Sequence, residues 1–347
     1  MQKVAVVILN WNGEKFLQKF LPTVVSNTVA LNINVVIADN GSTDGSIAYL
    51  ESNFPNIQII RFDKNHGFAS GYNLALKQME SEYYVLLNSD VEVPQGWLDP
   101  LIKFMDNNPS VAACMPKMLA YNNPTHFEYA GAAGGFIDFL GYPFCRGRIL
   151  SQIEEDKGQY DSPIEVFWAS GACLFVRSKY YWEVGGLDDD FFAHMEEIDL
   201  CWRMKNIGHS SWCIPSSKVY HVGGGTLRND NPRKLYYNYR NSLYMLHKNL
   251  PRGRQILTIF SRMLLDGLSA VAYLLKGKYS FFNAVLRAHI DFWKNLKMLR
   301  KKRKLIKSFA TTRNSKIYKR SILLDFFIYK RKKFNSLTSS TIYPLTD

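Results

Sequence analysis

The sequence predicts an α/β domain on a mostly parallel sheet, followed by a basic, amphipathic helical extension. Three observations carry that reading. Short apolar segments rich in β-branched residues alternate with helical patterns over roughly the first ninety positions. Those segments are continuous rather than alternating, as expected of parallel strands buried on both faces. Charge is sharply divided: residues 1–251 carry 21 Lys/Arg against 26 Asp/Glu, whereas residues 252–347 carry 22 against 4. A globular domain over 1–250 and an extension over 251–347 follow.

Residues 4–9 form the first predicted strand, ended by Asn10-Trp11-Asn12-Gly13. A helix over 14–26 leads to a strand over 34–38, ended by Asp39-Asn40-Gly41-Ser42. A second helix over 45–54 leads to a strand over 58–62, and a third over 69–79 to a strand over 83–87 ended by Asn88-Ser89-Asp90. Residues 110–165 show no clear period; 131–141 is glycine-rich and aromatic, and 151–163 is polar and expected to loop. The pattern returns with a strand over 167–176, a helix from Ser178, a break at Gly185-Gly186 and a helix over 196–206. A strand near 211–214 and a helix over 233–249 complete the domain.

Of the 347 residues 47% are hydrophobic, enough for a large core, and the formal net charge is +13. Five cysteines, odd in number and without a CxxC pair, speak against a disulfide framework or a zinc site and fit a reducing compartment. The apolar run at 4–9 is too short for the core of a signal peptide, so a cytoplasmic location is expected. No GxGxxG follows the first strand, which excludes a dinucleotide dehydrogenase. Asn10-Trp11-Asn12-Gly13 also lacks the glycine-rich, arginine-bearing phosphate loop of a sugar-nucleotide pyrophosphorylase.

Each predicted strand hands over to polar residues at its carboxyl end: Asn10 and Asn12, Asp39, Asn65, and Asp90. In an open α/β sheet those ends share one edge, where ligands bind. Two acidic clusters add chemistry. Asn88-Ser89-Asp90 with Glu92 suits a hard divalent cation bridging to a diphosphate. Asp188-Asp189-Asp190 and Glu196-Glu197-Ile198-Asp199 flank the aromatic pair Phe191-Phe192, unlike a simple solvated face. On a helix Glu196 and Asp199 share a face while Glu197 turns about 100° away, and Arg203 can pair with Asp199. His221 precedes Gly223-Gly224-Gly225, whose backbone permits close approach of a phosphate or metal.

These segments together resemble family 2 glycosyltransferases, most closely the rhamnosyltransferase-like branch of bacterial cell-surface polysaccharide synthesis. The resemblance covers roughly residues 3–250 and is carried by 7–13, 39–46, 65–69, 87–91 and 186–203. It implies a GT-A fold, a dTDP- or UDP-sugar donor, a divalent cation (Mg or Mn) and inversion at the anomeric carbon. It places base recognition on Asp39, with Asn10 and Asn12 in the first nucleotide loop and Asn65 and Gly67 in the segment closing over the nucleotide. Asn88-Ser89-Asp90 matches the D-x-D motif, with Asn at its first position, which puts Ser89 at the nucleotide and Asp90 on the metal. Glu196-Glu197 matches the catalytic acid pair, with Glu where the family's base is usually Asp; Asp199 lies on the same helix. His221 matches a histidine that reaches the metal or diphosphate, and Arg240-Asn241 a basic-amide pair.

The mechanism so implied is a single displacement in which Glu197 takes the proton of the acceptor hydroxyl. A non-catalytic sugar-nucleotide scaffold and a UDP-hexose transferase stand as alternatives. In the extension, residues 256–275 are apolar, but Thr258, Arg262, Asp266 and Ser269 line one narrow helical face. That pattern suits a helix lying in a membrane interface rather than spanning it. Phe282, Val285, Phe292, Leu296 and Leu299 recur at helical spacing, and Arg300-Lys301-Lys302-Arg303-Lys304 follows. Anionic lipid headgroups and a lipid-linked saccharide acceptor are the expected partners, with the protein peripheral on the inner face of the cell membrane. Nucleic acid is not expected, because phosphate binding has no need of the apolar faces.

Overall fold

A computed structural model describes residues 2–29, 33–223, 231–310 and 316–337. The chain opens with β1 (Gln2–Asn10), α1 (Glu14–Val29), β2 (Asn34–Asp39), α2 (Ser46–Asn53), β3 (Gln58–Arg61), α3 (Gly67–Leu76) and β4 (Ser81–Asn88). Then come β5 (Val91–Glu92), α4 (Asp99–Asn107), β6 (Val111–Ala120) and β7 (Asn123–Phe127). A small sheet follows, made of β8 (Gly135–Ile137), β9 (Pro143–Cys145), β10 (Arg148–Ile149) and β11 (Gln152–Ile153). The domain continues through β12 (Ile164–Val166), β13 (Cys173–Arg177), α5 (Ser178–Glu183), α6 (Glu196–Asn206), β14 (Ser210–His221) and α7 (Pro232–Asn249). The extension adds α8 (Arg252–Leu275), α9 (Tyr279–Lys294), α10 (Leu296–Phe309) and α11 (Ile322–Phe327).

Among the described residues the large sheet runs β12-β14-β6-β13-β4-β1-β2-β3. β4, β1, β2 and β3 are mutually parallel, and β13 is antiparallel to both β4 and β6. Val6, Val7, Ile37, Val85 and Leu86 are wholly buried, as parallel strands covered on both faces require. The register Asn10↔Asp39 and Leu9↔Asn88 sets the polar strand ends side by side on one edge, as the sequence predicts.

Of the expected strand over 167–176 only 173–176 forms, as part of β13; residues 167–172 lie outside any strand, after β12 has ended at Val166. The small residues Ala169-Ser170-Gly171-Ala172 do not continue the ladder, and a Cβ on Gly171 would sit 3.4 Å from Phe68 and 3.7 Å from Glu197. That close passage beneath α6 takes the place of sheet pairing. All five cysteines are free and buried.

The extension shares the core of the domain. Phe292, Leu299, Tyr318, Ile322 and Phe334 belong to the same buried cluster as the sheet residues. Polar contacts reinforce it: Arg262 donates to Leu140 O at 3.0 Å, Ile322 N to Asp138 Oδ2 at 3.0 Å and Phe334 N to Glu154 Oε1 at 3.0 Å. In α8 the polar face turns inward and the apolar face outward. Thr258, Arg262 and Asp266 are buried, whereas Ile256, Leu257, Phe260, Leu264, Leu268 and Leu275 are exposed, Leu275 to 83%. α8 is long and apolar enough to cross a membrane, yet it packs along its buried side on α7 and α9.

Candidate active site

The first loop and the β2 end form one hydrogen-bonded unit. Asn10, fully buried, donates Nδ2 to Asp39 Oδ2 at 3.0 Å and to Ser42 Oγ at 3.2 Å. The other Asp39 oxygen accepts Ser42 N at 2.9 Å. Asn10 Oδ1 is buried without a protein partner, an acceptor left over at the carboxyl edge of the sheet. Asn12, at φ +50°, spends its amide oxygen on Thr43 N at 2.7 Å and so fixes the turn rather than presenting that oxygen to a ligand. Asn40, which the sequence offers only as part of a turn, ties the next loop in. Its Nδ2 donates to Asn65 Oδ1 and Gly67 O at 3.1 Å each, and its Oδ1 accepts His66 N at 3.0 Å. Asn65 Oδ1 also accepts Gly67 N at 2.8 Å. Gly67 has φ +80°, and a Cβ there would fall 2.6 Å from the Phe192 ring.

At the β4 end Ser89 lies beside the first loop, its Oγ 3.5 Å from where a Cβ on Gly13 would sit. The pairing of β5 with β14, His221 opposite Val91, carries His221 to Asp90. His221 Nε2 is 3.1 Å from Asp90 Oδ1, and Nδ1 is 3.2 Å from Glu128 Oε1 as an ion-pair contact. Burial alone would lower the imidazole pKa, but the two carboxylates outweigh it and push it up to about 10. Glu128, buried and anchored through Oε2 to Ala130 N at 2.6 Å, went unseen in the sequence. It sits in the stretch without a readable period, and its place beside His221 arises only from the packing of β6, β7 and β14. The glycines after Gly223 fall outside the described residues.

No group of three or more His, Cys, Asp and Glu capable of holding a metal occurs among the described residues. The residues that would hold one are Asp90 and His221, which pair with each other in the structure. Adjacent ligand atoms around an octahedral cation at about 2.1 Å lie about 3 Å apart, the separation of Asp90 Oδ1 and His221 Nε2. A carboxylate on the far ring nitrogen, here Glu128, is the usual partner of a metal-binding histidine. A magnesium-type cation takes few protein ligands and fills its other positions with substrate phosphate and water.

The acids of α6 divide into two kinds. Glu197 is partly buried, its Oε2 has no hydrogen-bond partner, and burial pushes its pKa up to about 7. Glu196 lies deeper, also with Oε2 unpartnered, and is raised well above the usual carboxylate range by burial and then by Glu197. Asp199 is fully buried, with both oxygens engaged: Arg203 Nε at 2.8 Å, Asn249 Nδ2 at 2.8 Å and Lys248 Nζ at 3.0 Å. With both oxygens so held, Asp199 anchors α6 to α7. Arg240 and Asn241 of α7 gain a definite place. Arg240 donates to Asp190 O at 2.7 Å and Phe191 O at 3.0 Å. Asn241 Nδ2 reaches the carbonyls of Phe191, Ala193 and His194 at 3.0, 2.9 and 2.8 Å. The pair holds the loop that delivers Glu196 and Glu197.

Residues 5–185, more than half of the 347, match the profile of Glycosyl transferase family 2. The chain belongs to glycosyl transferase family 2. Like other family 2 enzymes it is a glycosyltransferase with a GT-A fold, and its acid-bearing helix lies just beyond the matched segment. It is 27% identical over 234 residues to an N-acetylglucosaminyl-diphospho-decaprenol L-rhamnosyltransferase of Mycobacterium tuberculosis, covering 62% of this chain and 75% of that one. A pre-mycofactocin glycosyltransferase from the same organism is 26% identical over 215 residues, covering 59% of this chain but 41% of the relative. Among solved structures the fold is similar to GalNAc-T7 with UDP, GalNAc and Mn2+ (TM-score 0.56, 14% identity, 72% of this chain and 48% of that one). It is also similar to residues 1–349 of S. aureus TarS (TM-score 0.52, 14% identity, 89% and 91% of the two chains).

Proposed function

We propose that this family 2 enzyme transfers a sugar, rhamnose in the first instance, from a dTDP- or UDP-sugar to a hydroxyl of a lipid-linked saccharide, with inversion. The observation that carries the reading is Glu197, whose Oε2 has no partner and whose pKa is pushed up to about 7, on the helix whose preceding loop bonds through Phe192 O to Phe68 N beside Gly67. A pKa near working pH is what a general base needs. Asp39 and Asn10 bind the base end of the nucleotide, and Asn65 with Gly67 closes over it. Glu197 removes the proton of the attacking hydroxyl as the anomeric carbon changes partner, while Glu196 orients the acceptor. Asp90 and His221 would hold Mg2+ or Mn2+, which supplies charge stabilisation to the departing diphosphate. A single displacement calls for no protein nucleophile. The similarity to the decaprenol-linked rhamnosyltransferase supports the donor sugar and the lipid-linked acceptor.

The exposed apolar face of α8, together with the basic α10, supports attachment to an anionic membrane surface, with the enzyme peripheral on its cytoplasmic side. An in-plane pose fits better than a spanning one. α8 packs on α7 and α9, and crossing the bilayer would draw Arg240 and Arg287 of those helices toward hydrocarbon.

Thermal shift with dTDP, UDP and GDP, each with and without Mn2+, followed by release of nucleoside diphosphate from dTDP-rhamnose and UDP-hexoses, tests the proposal. Stabilisation by dTDP with Mn2+ and turnover of dTDP-rhamnose is the expected result. Preference for UDP and a UDP-hexose would move the donor assignment, and no stabilisation by any nucleotide would overturn the site.

A further inference from the structure

The loop from Asp188 to Met195 is strained. Phe192 has φ 64° and ψ −60°, and Ala193 N donates to Phe191 O at 2.7 Å. This is the rarer hand of γ-turn. His194 and Met195 follow at φ 71° and 73°, immediately before Glu196. Non-glycine residues persist in such conformations only where their surroundings over-determine them. α7 supplies part of that restraint through Arg240 and Asn241. The remainder comes from the far end of the chain. Lys302 Nζ of α10 is 2.5 Å from Asp188 Oδ1 and also pairs with Asp190 Oδ2. Asp188 is held by Lys248 as well, and its side chain caps the short 3-10 turn by accepting Asp190 N at 3.1 Å.

The same loop touches the nucleotide side. Phe192 O accepts Phe68 N at 2.6 Å, and Asp189 Oδ1 accepts from Ser70 Oγ at 3.0 Å and Asn73 Nδ2 at 2.8 Å. One loop thus joins the segment at Asn65–Gly67 to the acids of α6, and the extension grips its head.

We propose that Lys302 is a positioning residue: from the C-terminal extension it fixes the loop that delivers Glu196 and Glu197, so turnover requires the extension to be seated. The proposal rests on the reading of Glu197 as the base. Lys302 is partly solvent-exposed, so its replacement leaves the core intact and the variant folds.

The test uses the full chain with Lys302→Gln, Lys302→Arg and, as control, Lys301→Gln on the same helix. Two quantities are measured: steady-state turnover of dTDP-rhamnose with Mn2+, and amide hydrogen exchange over residues 188–199. Lys302→Gln should lower kcat about tenfold with KM unchanged, because displacing a base by a fraction of an ångström costs rate rather than donor binding. Exchange should quicken in the loop alone, Lys302→Arg should restore most of kcat, and Lys301→Gln should behave as wild type. A Lys302→Gln enzyme with normal kcat and unchanged exchange overturns the proposal. So does loosening that spreads to β1–β4, since that marks a general structural role. If the wild type turns over no sugar nucleotide, the proposed function fails while exchange in the loop still decides the role of Lys302.

Discussion

Glu197 and Asp199 lie two positions apart on α6, and the fold treats them oppositely. Glu197 keeps an oxygen with no partner, whereas Asp199 is fully buried and saturated by Arg203, Asn249 and Lys248. Asp199→Asn should therefore destabilise the protein by about 3–5 kcal/mol, because it leaves the buried Arg203 without its carboxylate and Lys248 with Asp188 alone. Urea unfolding of the two single variants checks this, with Glu197→Gln expected to unfold near the wild-type midpoint at pH 6. Equal destabilisation of both would remove the distinction.

A second outcome concerns pH and stability. The Glu197 carboxyl ordinarily titrates near 4.5 and is raised to about 7 in the folded protein by burial. Between those values the folded state keeps a proton that the unfolded state has lost. The resulting stability is fully present below 4.5 and disappears as pH rises through about 7. Wild type should lose stability across pH 5–8, and Glu197→Gln should lose less of it. The difference in Tm should widen by about 2–4 °C in favour of Gln at pH 8. A gap that stays constant with pH would mean that Glu197 titrates normally.

Asp90→Ala should abolish Mn2+-dependent binding of nucleoside diphosphate while leaving unfolding unchanged. Glu128→Gln should weaken that binding about tenfold by releasing the far nitrogen of His221. Calorimetric titration with and without Mn2+ reads both. Unchanged cation dependence in Asp90→Ala would rule it out as a ligand.

For the membrane surface, deletion of the extension is a poor probe, since Phe292, Leu299 and Tyr318 belong to the common core. Point changes on the outer face are cleaner. Leu268→Glu with Leu275→Glu should cut sedimentation with anionic vesicles at least about tenfold, since each buried leucine contributes about 1.5–3 kcal/mol. High salt should release the wild type only in part, because apolar burial survives screening. Wild-type protein that stays in solution beside such vesicles would contradict the membrane reading.

The strand-end motifs were readable because a parallel sheet sends every carboxyl end to one edge, so Asn10, Asp39, Asn65 and Asp90 could be grouped from sequence alone. The helix at Glu196–Asn206 matched its predicted span because its acids and its last basic turn mark both ends. What stayed hidden depends on distant partners. Glu128 gains meaning only beside His221, Asp199 only beside Asn249 and Lys248, and Asp188 only beside Lys302, 114 residues along the chain. The strand expected over 167–176 begins only at Cys173 for a related reason, since the small residues before it pack near Phe68 and Glu197 rather than pairing.

Whether Glu197 is the general base is tested most directly by the pH dependence of kcat in Glu197→Gln and Glu196→Gln. Wild-type kcat should fall on the acid side of about pH 7, where Glu197 takes up its proton. Glu197→Gln should lose about 10²–10⁴-fold in kcat and lose that acid limb, with nucleoside diphosphate affinity unchanged. Glu196→Gln should keep the limb at a reduced rate. Normal turnover in Glu197→Gln, with the acid limb intact and lost instead in Glu196→Gln, would contradict the account and move the base by one residue.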